Sequence, residues 1–314
     1  MKVNFIAEFC QNHLGSRKIL REMIYKAIYS GASYGKIQSI RTNNLTFRKR
    51  FEKDFVIKNK LSINPRPYKE EYDRLKKLEL SIDDEKWFVR ECIKAGLKPM
   101  TTVFDKSTVE EIKDIGFEAI KIASYDCASF PLLKLVKKNW PLLIVSTGAT
   151  FDNEVIKASN ILKNHNFIFL HCVTIYPTPL EDLNLIRMNW LKKFTNDIGF
   201  SDHTSPSKSG LLASKLAITF GANWIERHFT VLDKTKTRDG PVSVNEKELK
   251  DIINFSELSS EKRLKVLKNY KKDFDKYLGN HNRDLTKLEL HNRDYYRGRF
   301  ASKINGKISF NWNN

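Results

Sequence analysis

Two histidines stand beside carboxylates in short apolar segments: His203 in Ser201-Asp202-His203-Thr204 and His228 in Glu226-Arg227-His228. Neutral imidazoles with solvent or substrate oxygens as co-ligands suit a borderline divalent metal. A lone histidine more often just hydrogen-bonds a neighbouring loop. Two of them, each next to an acid, point instead to a metal whose coordination sphere is left open, since no third ligand is evident. Two lysines are equally out of place. Lys36 (YGKIQ) and Lys121 (EAIKI) lie in apolar runs, where an ammonium is costly to desolvate unless an anion compensates it. One resolution is structural pairing with Glu8, Asp126 or Glu226. The other is an anionic substrate carrying carboxylate and phosphate, with Thr102, Ser124, Thr174 and Ser201 completing the cradle. An imine-forming lysine is a further option, redundant if a metal polarises the carbonyl.

These residues need a scaffold that gathers them. Strand-like segments recur at 3–8, 34–38, 98–103, 118–122, 142–146, 167–172, 197–201 and 223–228, separated by helical patterns. Ile19, Leu20, Met23, Ile24, Ala27 and Ile28 line one face of the first helix. Ser81-x-x-Asp84 and Ser107-x-x-Glu110 read as capping boxes, Ser129 before Pro131 as another start, and Gly31, Gly96 and Gly116 as helix ends. Eight strand–helix units predict a (β/α)₈ TIM barrel with a short C-terminal extension. An open doubly wound sheet would usually carry a glycine-rich turn after its first strand, and this sequence has none. In such a barrel the active site lies at the C-terminal ends of the strands, where Glu8, Lys36, Gln38, Thr102, Phe104, Lys121, Ser124, Asp126, Thr174, Tyr176, Ser201, His203, Glu226 and His228 all fall. Cys127 and Cys172 also fall near that mouth, without a catalytic partner, and read as small core residues.

Residues 1–262 are therefore expected to form the barrel, with 39–80 a long Lys/Arg/Asn-rich insertion after the second strand. Residues 263–314 are expected as a basic helix (RLKVLKNYKKDFDKYL) and a strand-like tail. The 314 residues, 41% hydrophobic and 11% aromatic, suffice for a barrel core. Four dispersed cysteines without a Cys-x-x-Cys pair imply free thiols. With no long apolar run and no signal-peptide pattern at the start, a cytoplasmic protein with no membrane partner is expected. The net charge of +18 is concentrated in part at the end, where residues 263–314 hold 13 Lys/Arg against 5 Asp/Glu. No nucleic-acid-binding motif accompanies it, so the charge reads as a solvated basic surface that attracts anionic metabolites.

The segments IAEFCQNHLGS, YGKIQS, TTVFD, EAIKIASYD, IVSTGAT, LHCVTIYPTPLEDLNL, IGFSDHT and WIERHFT, in this order over residues 3–230, resemble the sialic acid (N-acetylneuraminate) synthase family. The resemblance implies condensation of phosphoenolpyruvate with an N-acylated amino-sugar aldehyde, N-acetylmannosamine or a modified relative, giving a nonulosonic acid and phosphate. It implies a divalent metal, Mn2+ or Mg2+, on His203 and His228, polarising the aldehyde. Lys36, Thr102, Lys121, Ser124, Thr174 and Ser201 would hold phosphoenolpyruvate. Glu8, Gln38, Tyr176 and Glu226 would face the sugar or the reacting centre, with Phe104, Asp126 and Asp239 further substrate contacts. It also implies a homodimer. Two features depart from the pattern. The loop after the eighth strand reads Thr237-Arg238-Asp239-Gly240-Pro241 in place of a Pro-Gly-Pro-Asp-His type. The match also fades at RGRFASKINGKISFNWNN, which resembles only the first piece of the C-terminal antifreeze-like domain that, in the family, lends a sugar-binding arginine. Arg297 and Arg299 are the candidates to replace it. Two other readings are a condensation with a phosphorylated aldose, which residues 41–77 have the cations to serve, and a non-catalytic barrel scaffold.

Overall fold

A computed structural model describes residues 2–53 and 66–314. Eight parallel strands, β1 (Asn4–Cys10), β2 (Tyr34–Ser39), β3 (Lys98–Val103), β4 (Ala119–Ile122), β5 (Leu143–Ser146), β6 (Phe167–His171), β7 (Ile198–Asp202) and β8 (Trp224–His228), close in sequence order with β8 against β1. The expected (β/α)₈ barrel is present, every strand within two residues of its expected bounds.

The pleat sorts each strand into two chemistries. Outward residues such as Phe5, Ala7, Ile37, Val103, Ile120, Val145, Phe169, Phe200 and Ile225 form the main core beneath the helices. Inward residues at the N-terminal end, Ile6, Tyr34, Met100, Ala119, Ile144, Ile168 and Trp224, plug the barrel with apolar volume. Two residues further along the same inward rows come Glu8, Lys36, Thr102, Lys121, Ser146 and Glu226, all buried. In register Glu8 lies beside Lys36 and His228, Thr102 beside Lys121, and Ser201 beside Glu226.

Local signals place the helices. Helix Arg17–Ser30 buries Leu20, Met23, Ile24 and Ala27, is capped by Ser16 and stops at Gly31, whose φ of 99° an L side chain rarely adopts. Ser81 and Asp84 form the expected capping box. The next cap differs from expectation: Asp105, not Ser107, starts helix Lys106–Ile112, accepting from Thr108 N at 2.9 Å while Ser107 Oγ donates to it at 2.6 Å. A charged acceptor at the strand end outcompetes the hydroxyl two residues later.

Of the insertion 39–80, residues 54–65 lie outside the described residues; the rest includes helix Tyr68–Lys76. The expected single helix after 263 is broken into helix Ser260–Val266, a 3₁₀ segment Lys268–Asp273 and helix Phe274–Leu278. The tail then forms a helix the sequence reading omitted, Lys287–Tyr296, on a Thr286/Glu289 capping box, followed by the hairpin β9 (Ser302–Ile304) and β10 (Lys307–Ser309). This tail packs on the barrel mouth. Asn292 Nδ2 donates to Thr174 O (2.6 Å), Arg293 Nη1 to Ala149 O (2.6 Å), and Asn311 Nδ2 to Phe104 O (2.8 Å). Among the described residues no helix is long and apolar enough to cross a membrane. All four cysteines are free and buried.

Candidate active site

At the C-terminal ends of the strands a cavity of about 400 Å³ opens between the barrel and the tail. Fourteen of the fifteen expected site residues line it; Thr174 stands just behind the wall, its methyl close to Gly148.

The floor is made of two lysines and two carboxylates. Lys36 Nζ forms an ion pair with Glu8, donates to Thr102 Oγ1 at 2.9 Å and lies 3.8 Å from Glu226 Oε2. Lys121 Nζ is 3.4 Å from Glu226 Oε1, which also accepts from Ser201 Oγ at 2.8 Å. Burial pulls the Lys36 ammonium down to about 7, against the opposing pull of Glu226. Burial raises Glu226, yet Lys121 and Lys36 outweigh it and hold that carboxyl below its ordinary value. The pairing with Glu8 and Glu226 weighed from sequence is present; Asp126 is elsewhere, bound by Ser129 Oγ (2.7 Å) and Asn311 Nδ2 (2.9 Å). Burial raises Asp126 to about 6 despite those donors. Several polar atoms at this level have no hydrogen-bond partner among the described residues: Ser146 Oγ, Thr174 Oγ1, Glu226 Oε2 and His228 Nδ1. A wall of unspent donors and acceptors around buried ammonium groups is a ligand site already built.

The histidines converge, with ring centroids 5.7 Å apart. His203 Nδ1 lies 2.9 Å from Val173 O, which can only accept, so Nδ1 carries the hydrogen and the Nε2 lone pair faces Tyr176 OH (3.2 Å) and Ser201 Oγ (3.4 Å). Burial, then His228, lowers His203 to about 4, and burial lowers His228. The His203 ring is thus neutral near pH 7, and the shift of His228 runs the same way. The adjacent acids differ in role. Asp202 points out of the barrel onto Arg227 (2.6 Å) and Ser214 (2.5 Å), as the pleat requires after inward Ser201; Glu226 points in.

Sequence reasoning passed over a further donor set. Cys10, His228 and Asp239 each offer a ligand atom within 4.8 Å of the others. Cys10 ends β1 at a register shift, with a φ of 47° uncommon for a side chain that is not glycine. Its Sγ meets Asp239 Oδ2 at 2.8 Å and Gln38 Nε2 at 3.2 Å, and burial together with Asp239 holds the thiol well above its ordinary range. The donors fit a divalent metal: neutral imidazoles, a carboxylate, and a buried His228 nitrogen with nothing else to bind. The Asn12-His13 pair is structural: Asn12 Nδ2 ties to Phe229 O (2.9 Å) and Ser243 Oγ (3.0 Å), and His13 Nδ1 accepts from Gly15 N (3.0 Å).

The outer wall belongs to segments outside the barrel repeat. Arg66, Arg74, Arg238, Tyr296 and Arg299 line it, while Arg297 turns away, stacking on Trp312 at 5.0 Å. Of the two arginines considered for the tail, Arg299 is the one at the cavity.

The model of the NeuB family matches residues 23–271. Pseudaminic acid synthase of Campylobacter jejuni subsp. jejuni serotype O:23/36 is 32% identical over 306 residues, which are 96% of this chain and 82% of the relative. N,N'-diacetyllegionaminic acid synthase of Campylobacter jejuni subsp. jejuni serotype O:2 is 31% identical over 255 residues, 79% of this chain and 74% of the relative. The crystal structure of N-acetylneuraminic acid (sialic acid) synthetase from Leptospira borgpetersenii serovar Hardjo-bovis in complex with citrate superposes with a TM-score of 0.70 at 27% identity. That superposition covers 94% of this chain and 91% of the other.

Proposed function

Because the chain belongs to the NeuB family, whose relatives here are nonulosonic acid synthases, we propose that it condenses phosphoenolpyruvate with an N-acylated amino-sugar aldehyde. The acceptor is N-acetylmannosamine or a modified relative, and the products are a nonulosonic acid and phosphate. The observation that carries this reading is the polar layer inside the barrel, where buried Lys36 and Lys121 share one level with Ser146, whose hydroxyl has no hydrogen-bond partner among the described residues. An ammonium pair at that depth is suited to a small, highly charged anion.

In this reading Lys36, Thr102, Lys121, Ser124 and Ser201 hold the carboxylate and phosphate of phosphoenolpyruvate, and Thr174, behind the wall, does not reach them. Gln38, Phe104, Asp126, Tyr176 and Asp239 orient the sugar. The enol carbon forms the new bond to the aldehyde carbon, whose oxygen takes a proton. Water then adds at the former enol carbon that bears the phosphate, and phosphate leaves. Glu8 and Glu226 are the carboxylates placed to take and return protons, with the lysines keeping Glu226 ionised. His203 and His228, joined by Cys10 and Asp239 as neighbouring donors, would hold a divalent metal, Mn2+ or Mg2+, which when bound supplies Lewis-acid polarisation of the aldehyde.

A phosphate-release assay with phosphoenolpyruvate, Mn2+ and aldoses with and without N-acyl groups tests this. Release is expected only with 2-acylamido aldoses. Equal release with non-acylated five- or four-carbon sugars would replace the proposed acceptor.

A further inference from the structure

The sulfur of Cys10 receives its hydrogen bond through a relay that runs in one direction. Arg74 Nη1 donates to Gln11 Oε1 at 2.7 Å, Gln11 Nε2 to Gln38 Oε1 at 3.3 Å, and Gln38 Nε2 to Cys10 Sγ at 3.2 Å. A guanidinium can only donate, so Arg74 fixes the sense of both amides and the relay ends with an N–H aimed at sulfur. The thiol hydrogen must go the other way, onto Asp239 Oδ2 at 2.8 Å. An amide N–H trained on the sulfur is support that a thiolate uses more fully than a thiol.

The backbone is bent to put the sulfur there. Cys10 stands at the register shift that ends β1, and its φ of 47° is uncommon for a residue with a side chain. Cys10 Sγ, a ring nitrogen of His228 and a carboxylate oxygen of Asp239 all lie within 4.8 Å of one another. Donors around one ion stand about 3.4–4.6 Å apart at ordinary bond lengths, so small side-chain movements bring all three onto a single ion. His228 is buried, and its Nδ1 has no hydrogen-bond partner among the described residues. Just past the end of β7, His203 adds its ring 5.7 Å away, centroid to centroid, with the Nε2 lone pair toward the cavity.

We infer that Cys10 is a direct ligand of the divalent ion, as the thiolate, beside His228, Asp239 and His203. The thiol hydrogen leaves to solvent as the ion binds. The site then selects a thiophilic divalent cation, Zn2+ or Fe2+, over Mg2+, which seeks oxygen and gains nothing from sulfur. Mn2+ still binds, but more weakly than the other transition ions. The inference rests on the condensation reading for the role of the ion and narrows the choice of metal made there. Gln38 and Gln11, and through them Arg74, are positioning residues for the sulfur.

The test uses the full chain stripped of metal, with neither substrate present, and Co2+ as the probe. A near-ultraviolet sulfur-to-cobalt charge-transfer absorption is expected on titration. It should be missing in Cys10→Ser and in Cys10→Gly, the second of which adopts the local φ freely. Zn2+ should displace Co2+ at a concentration roughly a hundredfold or more below that needed of Mg2+. Cys10→Ser should lose about tenfold more affinity for Zn2+ than for Mn2+. No Co2+ binding, Co2+ bound without the absorption, or an absorption that survives in Cys10→Gly overturns the inference. So does an equal loss for Zn2+ and Mn2+ in Cys10→Ser, since the sulfur would then only pack beside the ion. The absorption without any phosphate release would sink the condensation reading and leave the thiolate site standing. Turnover with Mn2+ but no absorption would do the reverse.

Discussion

The floor and the wall of the cavity solve the same electrostatic problem differently. On the floor, strand-borne Lys36 and Lys121 are matched by Glu8 and Glu226 at neighbouring register positions. On the wall, Arg74 from helix Tyr68–Lys76, Arg238 from the loop after β8 and Arg299 from the tail crowd a single Glu71. The balanced set is rigid and buried, with each charge fixed by the pleat of a closed barrel. The unbalanced set comes from elements outside the barrel repeat and has more cations than Glu71 alone can match. A balanced cluster keeps its geometry without ligand, as chemistry requires of reacting groups.

Breaking the floor should cost most. Lys121→Met strips Glu226 of one of its two cations inside a buried cluster, a loss of about 3 kcal/mol or more, so kcat/KM should fall by roughly a hundredfold or beyond. Borohydride added during turnover should leave no mass adduct on Lys36 or Lys121. A substrate-dependent adduct would turn these lysines from charge holders into imine formers and remove the reason for their pairing.

The proposed metal donors lie where floor meets wall. His203→Ala and His228→Ala are expected to lose bound manganese on metal analysis, and excess chelator should abolish turnover. Cys10→Ser should weaken the metal by about 10–100-fold, the cost typical of an altered neighbouring shell. Unchanged metal content in His228→Ala contradicts the assignment. Unchanged affinity in Cys10→Ser restricts the site to the two histidines.

The smallest effect concerns the tail. Asn311 donates to Asp126, whose folded value of about 6 lies above the ordinary 3.8. The folded state therefore binds more protons than the unfolded one between pH 4 and 6, and this group's contribution to stability declines as pH rises through that window. Asn311→Ala removes a donor to the ionised form. It should destabilise by about 1–2 kcal/mol above pH 6 and by less near pH 4, read from denaturant midpoints. An equal loss at both pH values would mean that Asn311 only packs the tail.

The same contrast explains how much the sequence disclosed. An ammonium inside YGKIQ or EAIKI is conspicuous because strand periodicity forces it either inward or under a helix, and both places are dry. That made the floor readable, and alternation would also have separated outward Asp202 from inward Glu226. The wall has no such period. Arg66, Arg74, Arg238 and Arg299 are ordinary members of a basic composition until tertiary packing gathers them. Cys10 hid likewise, because its role depends on a register shift at the end of β1. The tail helix was legible in principle, through Thr286 and Glu289, but the expected run of charged helix before it drew attention away.

The most direct test of the central claim is the mass of the product formed from phosphoenolpyruvate and an N-acylated aldose with Mn2+ present. A new acid equal in mass to the aldose plus pyruvic acid, with one phosphate released per molecule formed, is the predicted result. Phosphate appearing with free pyruvate and unaltered sugar, or no consumption of phosphoenolpyruvate with any charged or neutral acceptor, would contradict it.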